Sequence, residues 1–485
     1  MLLSFRVENH KSVRHEQQLL LTPTYEDAHP ENADWEATTV AGIFGANASG
    51  KSNLLDALVY MRDTVRWSMS TGEPGGGIAR SSFALDLDAE GEPSTFVVDL
   101  MLSGVRHTYG FAVDDERVVE EWLYTYPKRR KRVLFERDGA EFSFGEGVPA
   151  KLRQVRDITG PNVLFLTVAA RASNADVEPI YRWFSEALLF AEERGTAAPS
   201  WLRGRRATEE QMTRLGELLS SAGTGVRSVE LSEGAVPASV ASRQDLIKKV
   251  LAKELESIGG EERAERRSRF LERFSVSAPA GEGRTEAAGS IAERLYGGHH
   301  GLFPTGWSFG DALFGSPELL FHHGEGDRSR PLVWREESKG TRTLTALGYE
   351  AQRALETGGV LIVDEIDASL HPYLSARVIS LFRSETHNPH GAQLVFTSHD
   401  AALLGRIRGE EVLKRDHIWF VDKDGEGRST LYPLSDFKPR GDDNRARRYL
   451  TGRYGAVPDV DDELFQRALV RRVAEGDDGV EGVTE

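Results

Sequence analysis

The segment GANASGKS, residues 45–52, constrains the fold of this chain more than any other feature of its sequence. It matches the GxxxxGK[ST] pattern of a phosphate-binding loop, in which glycines allow backbone N–H groups to surround phosphate oxygens. Residues 38–44 before the loop predict a buried strand, and Leu54, Leu58 and Val65 after it recur at helical spacing. A strand, a glycine-rich loop and a helix N-terminus in this order predict a site for a nucleoside triphosphate.

The residue types inside this loop predict what each part of it does. We expect Gly45 and Gly50 to let the backbone approach the phosphates, and Lys51 to reach the β- and γ-phosphate oxygens. We expect the hydroxyl of Ser52 to ligate Mg²⁺. A glycine-rich turn without a ligand is the alternative, but such a turn does not require the strand and the helix that flank this loop.

A second apolar run, GVLIVDE at residues 359–365, ends in two carboxylates. An uncharged run is typical of a strand buried on both faces of a parallel sheet, and ligands bind at the carboxyl ends of such strands. We therefore expect Asp364 to hold Mg²⁺, directly or through water, and Glu365 to activate the attacking water. The alternative is an acidic N-cap for the next helix, and the presence of the phosphate loop favours the site.

Two more segments complete this set of motifs. Residues 393–397 predict another buried strand, and His399 follows it as either a γ-phosphate contact or a structural histidine. Residues 338–342, SKGTR, open a helix that is predicted to end at Gly358. A serine and a glycine before a helix N-terminus predict a second anion site.

The order of these motifs resembles the ATP-binding-cassette heads of SMC, RecF and double-strand-break repair ATPases. The resemblance includes NHKS at residues 9–12 after the first strand and DASLHP at residues 367–372. In that family the Ser-x-Gly signature of one protomer caps the γ-phosphate held by another, so the resemblance implies ATP as the nucleotide and a homo-oligomer built from ATP-sandwich dimers. It implies catalytic roles for Lys51, Glu365 and His399 and further nucleotide contacts for Asn47, Asn53, Ser338, Gly340 and Asp367.

The C-terminal part of the chain resembles a narrower group. Residues 436–440, DFKPR, and 449–458, YLTGRYGAVP, look like the C-terminal signature of the compact bacterial ATPases grouped with RloA, AbiL and AriA. That resemblance implies an anti-phage or abortive-infection ATPase that controls a separately encoded effector, such as a TOPRIM-like nuclease. The chain departs from the cassette pattern at residues 82–85, where the expected Mg²⁺- and water-contacting glutamine is missing.

A chain of 485 residues is too long for a single hydrophobic core. We predict an α/β fold, an ABC-type phosphate-loop head with a β-rich N-terminal lobe and a mainly helical insertion. The expected segments are residues 1–148 and 328–440 for the two parts of the head, 149–327 for the insertion, and 441–485 for a C-terminal segment whose acidic tail from 475 is disordered. No apolar run is long enough for a membrane span, and no signal peptide precedes the first strand, so we expect a cytoplasmic protein.

The net charge of −16 argues against a non-specific DNA coat, although local basic clusters exist. KRRKR at residues 128–132 predicts a hairpin tip that either protects a sheet edge or contacts nucleic acid or a partner. Arginines at 203–206 form a second cluster, and those at 263–273 alternate with glutamates as on the solvent face of a helix. The histidines at 299–300 and 322–323 lack companion ligands and are predicted to be structural.

Together these features predict a cytoplasmic, Mg²⁺-dependent ATPase that serves as the sensor or scaffold of a prokaryotic defence system. A DNA-repair or recombination ATPase of the RecF type is the alternative. A third hypothesis is a scaffold without catalysis, in which ATP only holds protomers together around a partner.

Overall fold

The computed structural model describes residues 1–25, 37–71, 73, 75–191, 199, 201–204, 207–232, 318–324, 331–440 and 443–469. Several predictions lie outside these residues: the arginine cluster at 263–273, the histidines at 299–300, the acidic tail from 475, and the side chains of the cluster at 203–206. Within the described ranges, no helix combines the length and the apolar composition needed to cross a bilayer.

Strands and helices alternate along the chain, as a layered α/β fold requires. The strands are β1 Leu2–Glu8, β2 Gln17–Leu20, β3 Val40–Phe44, β4 Ser94–Leu102, β5 Val105–Val113, β6 Val118–Thr125, β7 Arg132–Asp138, β8 Glu141–Ser143, β9 Leu188–Ala191, β10 Val226–Ser232, β11 Glu318–His323, β12 Leu332–Val333, β13 Val360–Val363, β14 Gln393–Ser398, β15 Arg406–Ile407, β16 Glu410–Glu411, β17 Ile418–Lys423 and β18 Ser429–Pro433. The helices are α1 Lys51–Thr71, α2 Leu87–Gly91, α3 Ala150–Gln154, α4 Phe165–Arg171, α5 Glu178–Arg182, α6 Trp201–Gly204, α7 Glu209–Ser221, α8 Lys339–Thr357, α9 Pro372–Arg383, α10 Arg445–Leu450 and α11 Asp462–Leu469.

A six-stranded sheet carries the phosphate loop. Its order is β18-β17-β3-β14-β13-β9, and every neighbouring pair is parallel except β17 with β18. All residues of β3, β13 and β14 are buried, because these strands are covered on both faces. The strands predicted before the phosphate loop and before the two carboxylates are therefore confirmed, and both pair with β14.

The two faces of this sheet bury two separate apolar clusters. In β3, Ala41 and Ile43 belong to the cluster that contains α1, whereas Val40 and Phe44 belong to the cluster that contains α9. Successive side chains of a strand point to opposite faces, so one short strand contacts both layers. The phosphate loop at the end of β3 is therefore anchored between two packed layers.

A seven-stranded antiparallel sheet, ordered β2-β1-β4-β5-β6-β7-β8, forms the predicted β-rich lobe. It packs in the same cluster as α1. Buried Glu121 of β6 accepts hydrogen bonds from the backbone N–H groups of Phe165 and Leu166 in α4 and lies 3.7 Å from the guanidinium of Arg137. These contacts fix the antiparallel sheet to the helices beside it, and the α/β fold class is confirmed.

The described part of the range 149–327 contains strands as well as helices. α7 is one of the helices expected in a mainly helical insertion, but β10 and β11 form a small antiparallel sheet with β12. β9 comes from the same range and forms an edge of the core sheet. Sequence reasoning missed these strands because their partners are distant in the chain, and the division into four segments stays a prediction.

The small sheet and α7 pack against α8, the helix predicted to follow the Ser-x-Gly segment. Leu215, Phe321, Trp334 and Tyr349 belong to the cluster between them. A Cβ at Gly348 would collide with Leu218, so α7 and α8 approach closely because position 348 lacks a side chain. The described part of the insertion is thus in direct contact with α8.

The bounds predicted for α8 are confirmed by its caps. The hydroxyl of Ser338 accepts a hydrogen bond from the backbone N–H of Thr341 at 3.1 Å, and Gly358 ends the helix with φ +70°. Farther along the chain, the rings of Tyr449 and Tyr454 stack on Phe420 of β17, with centroids 5.7 and 5.4 Å apart. The aromatic residues of the C-terminal motif therefore belong to the core of the head.

Candidate nucleotide-binding site

Four parallel strands bring the predicted motifs to one edge of the core sheet. β3, β14, β13 and β9 run in the same direction, so their carboxyl ends share that edge. The phosphate loop follows β3, Asp364 and Glu365 follow β13, and His399 follows β14. Ligands of parallel sheets bind at this edge.

The phosphate loop turns sharply between β3 and α1. Gly50 has φ +106°, a conformation that residues with a side chain rarely adopt. A Cβ at Gly45 would lie 2.5 Å from the carbonyl oxygen of Val421 in β17. Both glycines of the motif are therefore required here, one by backbone conformation and the other by close packing.

Lys51 is held inside the curve of the loop. Its Nζ donates hydrogen bonds to the carbonyl oxygens of Gly45 and Ala46, both at 2.8 Å, and the side chain is buried. Burial lowers the pKa of this ammonium group, and three nearby carboxylates act in the opposite direction. The lysine thus lies between the loop backbone and the acidic end of β13.

Two hydroxyl groups and an amide hold the loop from outside. The Ser429 hydroxyl donates to the carbonyl oxygen of Ser49 at 2.7 Å, and its oxygen lies 2.8 Å from Ser12 Oγ, which accepts a hydrogen bond from Asn53 Nδ2 at 2.7 Å. A Cβ at Gly50 would collide with Ser429 and lie 2.6 Å from Ser12 Oγ. Sequence reasoning missed Ser429, because no local pattern marks it. Asn53, which was expected to contact the nucleotide, donates its amide hydrogen bond to Ser12 in this structure.

The phosphate loop and β13 meet through a direct hydrogen bond. Ser52 Oγ donates to Asp364 Oδ1 at 3.1 Å. Thr397 Oγ1 donates to the same carboxylate oxygen at 2.5 Å and accepts a hydrogen bond from the backbone N–H of Glu365 at 2.7 Å. Thr397 therefore orients both acidic residues. The only feature of the sequence that pointed to Thr397 was the presence of a hydroxyl group near the end of a buried apolar strand.

The donor set at this junction fits Mg²⁺. The Ser52 hydroxyl and the Asp364 carboxylate are adjacent oxygen donors, the ligand type that Mg²⁺ prefers. Burial lowers the pKa of the Lys51 ammonium, and three nearby carboxylates, those of Glu365, Asp364 and Asp367, act to raise it. Three carboxylates beside one ammonium repel a polyphosphate unless a divalent cation neutralises part of their charge.

Glu365 stands at the end of β13 in an uncommon backbone conformation. Its φ is +51°, and its side chain is exposed to the cleft. A residue other than glycine in this region is strained by roughly 1–3 kcal/mol, and such strain clusters at functional sites. The hydrogen bond from its N–H to Thr397 helps to hold this conformation.

His399 is oriented by the turn that follows β13. Its Nδ1 lies 3.2 Å from Asp367 Oδ2, while most of the ring remains exposed. The Asp367 side chain is buried, and its Oδ1 accepts no hydrogen bond from any described residue. The pair therefore presents an imidazole beside the carboxylates and leaves one acidic oxygen available to a further donor.

Ser338 and Gly340 lie at the start of α8, next to the same turn. The hydroxyl of Ser338 contacts Thr341, and among the described residues its side-chain hydrogen bonds do not reach the phosphate loop. A Cβ at Gly340 would lie 2.9 Å from the carbonyl oxygen of Ser369. The glycine therefore allows α8 to pack against the turn that contains Asp367.

A cavity of about 490 Å³ opens beside the carboxylates. The first turns of α8, Asp364, Glu365 and Ala191 at the end of β9 line it. Residues 82–85, where a glutamine was expected, instead border a separate cavity that includes Arg14. Residues 82–85 therefore do not line the carboxylate cavity, whose wall includes Ala191 of β9.

The remaining candidates are accounted for within the described residues. Asn47 is exposed on the phosphate loop. His322 lies 3.4 Å from Glu230, and His323 lies 2.5 Å from Glu337. No group of three or more metal-ligating side chains occurs in the part of the chain that the structure describes. The individual roles assigned to the site residues stay predictions, although the fold brings most of them to one edge.

Comparison with known proteins identifies one matching family. The family described as "AAA domain, putative AbiEii toxin, Type IV TA system" matches residues 40–405, a range that begins at β3 and includes every predicted site residue. No curated protein matches the chain.

Two SMC head domains are among the similar solved structures. One, from Pyrococcus furiosus, is an Smc head with an extended coiled coil bound to the C-terminal domain of ScpA; it is 13% identical, with 90% of this chain and 97% of that chain covered and a TM-score of 0.35. The other, from Thermotoga maritima, is 13% identical, with 89% and 98% covered and a TM-score of 0.33.

Gly50→Ala is expected to weaken nucleotide binding by about tenfold or more, equivalent to ~1.4 kcal/mol. The added methyl group would be strained at φ +106° and would collide with Ser429. Gly75→Ala is the matched control, because Gly75 also has a positive φ, +80°, but a Cβ there meets no atom within 4 Å. Fluorescence anisotropy with a labelled ATP analogue measures both affinities, and equal affinities would contradict the assignment of the loop.

Proposed function

The chain belongs to the AAA-domain family described as a putative AbiEii toxin of a type IV toxin–antitoxin system, and from that premise we propose that it binds and hydrolyses ATP with Mg²⁺. The observation that carries the proposal is the 3.1 Å hydrogen bond from Ser52 Oγ to Asp364 Oδ1. It joins the phosphate loop to the acidic end of a neighbouring strand, the combination that phosphoryl-transfer sites of the phosphate-loop class use.

The residues of the loop bind and orient the triphosphate. Backbone N–H groups at the start of α1 point towards the phosphates, and Lys51 moves from the carbonyl oxygens of Gly45 and Ala46 to the phosphate oxygens. Ser52 and Asp364 would hold Mg²⁺, which neutralises charge on the phosphates when it is bound. Thr397 keeps the Asp364 carboxylate in the orientation that this requires.

Glu365 is the best-placed base for the attacking water. Its side chain is exposed to the cleft, and its backbone is held by Thr397. The carboxylate accepts a hydrogen bond from the water and takes up its proton as the water oxygen bonds to the γ-phosphorus. The bond from the γ-phosphorus to the β–γ bridging oxygen breaks in the same step, and ADP is the leaving group. His399, oriented by Asp367, donates a hydrogen bond to the γ-phosphate and distinguishes the triphosphate from the diphosphate.

We also propose that Ser338 and Gly340 act on the nucleotide of a second protomer. Ser338 is exposed at the N-terminus of α8, where the helix dipole favours an anion. Its hydroxyl bonds to Thr341 rather than to the loop of its own chain. A γ-phosphate bound between the loop of one protomer and α8 of the other would complete the site only in a dimer.

Glu365→Gln is expected to lower ATP hydrolysis by about 10²–10⁴-fold, because loss of a positioned base typically has that effect. The amide keeps the size of the carboxylate, so ATP binding should be retained. Phosphate release and nucleotide affinity are measured in parallel. The control is Glu410→Gln, which makes the same change at an exposed glutamate of β16. Turnover near that of the wild type would assign the base to another residue.

The shared site makes a different prediction for mixed oligomers. Ser338→Arg and Lys51→Ala should each abolish turnover when alone, since every site of the dimer then carries one defect. A mixed dimer of the two variants contains one site with both defects and one with neither, so activity should partly recover on mixing. Recovery measured by titrating one variant into the other supports a shared site, and strictly additive loss contradicts it.

For the biological role, we propose that the ATPase is the sensor or scaffold subunit of a cytoplasmic anti-phage system and restrains a separately encoded effector. The family description, which names a toxin of a toxin–antitoxin system, and the resemblance of residues 449–458 to the RloA, AbiL and AriA group support this role. An ATP-dependent dimer can switch such an effector only if ATP binds the two states with different affinity. About 5.5 kcal/mol moves a population from 1:99 to 99:1.

Cells that express the chain together with its genomic neighbour are expected to resist phage, whereas cells that express either gene alone are not. Glu365→Gln in the pair should change the protection, because the ATP state sets the switch. Plaque counts on the three strains and the variant measure this. Protection by the chain alone, or protection indifferent to Glu365, would contradict the two-component role and favour a repair ATPase of the RecF type.

A further inference from the structure

The basic run at residues 128–132 plays no part in the nucleotide site. It forms the tip of the hairpin between β6 and β7, as the sequence predicted. Lys128, Arg129, Arg130 and Lys131 are all exposed, and we call these four residues the basic tip. Among the described residues, no carboxylate forms an ion pair with any of the four.

Protection of a sheet edge does not account for this charge. β6 lies between β5 and β7, whereas β7 pairs with β8 only at residues 136–138, so residues 132–135 of β7 have no second strand partner among the described residues. Charged residues guard against aggregation where a strand has a free edge. The four cations of the basic tip, however, lie in the turn that precedes this stretch of β7 and not in the strand itself. The basic tip therefore requires another explanation.

The backbone of the basic tip is strained at cationic residues. Lys128 has φ +55° and Arg129 has φ +62°. For residues with a side chain, the left-handed conformation costs about 1–2 kcal/mol each, whereas glycine adopts it freely. The turn thus holds two positive side chains at positions where glycine would be more stable.

Aromatic rings support cations at the same end of the sheet. Lys131 Nζ lies 3.5 Å from the ring centroid of Tyr124, and the guanidinium of Arg106 lies 5.2 Å from that of Tyr126. Arg106 also pairs with Asp99 at 2.9 Å, so its charge is largely neutralised. The net local charge therefore comes from the basic tip itself.

We propose that the basic tip binds the phosphate backbone of a nucleic acid. The chain as a whole carries a net charge of −16, so a polyanion can approach only where cations are concentrated and unpaired. Among the described residues, no large apolar side chain is exposed between positions 126 and 132. Protein partners are usually bound through such apolar anchors, whereas phosphates need only charge.

The test uses the full chain with Lys128→Gly, Arg129→Gly, Arg130→Gln and Lys131→Gln combined. The two glycines relieve backbone strain, so the variant is expected to unfold at a temperature no lower than the wild type. A control variant changes four exposed cations elsewhere to glutamine: Arg117, Arg377, Lys423 and Arg447. Because both variants lose four positive charges, they separate the effect of position from that of net charge.

Fluorescence anisotropy with labelled single-stranded DNA, duplex DNA and RNA of about 30 nucleotides is measured over a range of NaCl concentrations. The wild type and the control variant are expected to bind at least one of the three. The tip variant should bind it about tenfold or more weakly, with the slope of log affinity against log salt reduced by about two or more. Lys128→Arg with Lys131→Arg, which keeps the charge, should bind as the wild type does.

Absence of binding by the wild type to all three probes would overturn the proposal, as would equal weakening of the tip and control variants. Binding to vesicles that contain phosphatidylserine, lost in the tip variant while no nucleic acid is bound, would assign the basic tip to a membrane and would also overturn it. Lys51→Ala should not alter nucleic-acid binding in the absence of ATP. Failure of the nucleotide site would therefore be distinguishable from failure of this proposal.

Discussion

The parallel arrangement of β3, β14 and β13 is the constraint on which the rest of the site depends. Parallel strands place their carboxyl ends at one edge, and here that edge brings the Ser52 hydroxyl within hydrogen-bond distance of Asp364. The two residues are separated by most of the chain, yet the contact needs no long side chain, because Asp364 directly follows β13 and Ser52 lies at the start of α1, just after the phosphate loop. Thr397, from the strand between them, completes the junction by binding Asp364 and the backbone of Glu365.

Close packing around glycines places distant segments of the chain next to this junction. Gly50 and Gly45 lie against Ser429 and Val421, so the antiparallel edge of the core sheet supports the phosphate loop. On the other side, Gly348 allows α7 to pack on α8, whose N-cap is Ser338. At Gly45 even one additional carbon atom is too large, because it would meet a backbone oxygen, whereas at Gly348 it would require the Leu218 side chain to shift.

Motifs with local physical causes were predictable from the sequence, and sites assembled from distant residues were not. The phosphate loop, the strand before Asp364 and both ends of α8 follow from glycine conformation, apolar runs and capping residues that lie close together in the chain. The Ser12–Ser429 contact joins the two ends of the head, and a lone serine in a strand carries no pattern. The same reason explains why β9 was missed as a wall of the carboxylate cavity.

The sequence by itself determined that the chain has a phosphate loop, a buried strand that is followed by two carboxylates, and a serine-capped helix. Backbone conformation and burial preferences act over a few neighbouring residues, so these features follow from local patterns. It also determined the cationic character of the basic tip. Only the tertiary structure decided that β7 pairs with β8 over just part of its length, that Thr397 holds the Asp364 carboxylate and the backbone of Glu365, and that β9 borders the carboxylate cavity. These properties arise from strand order and from contacts between segments far apart in the chain, and neither follows from local residue patterns.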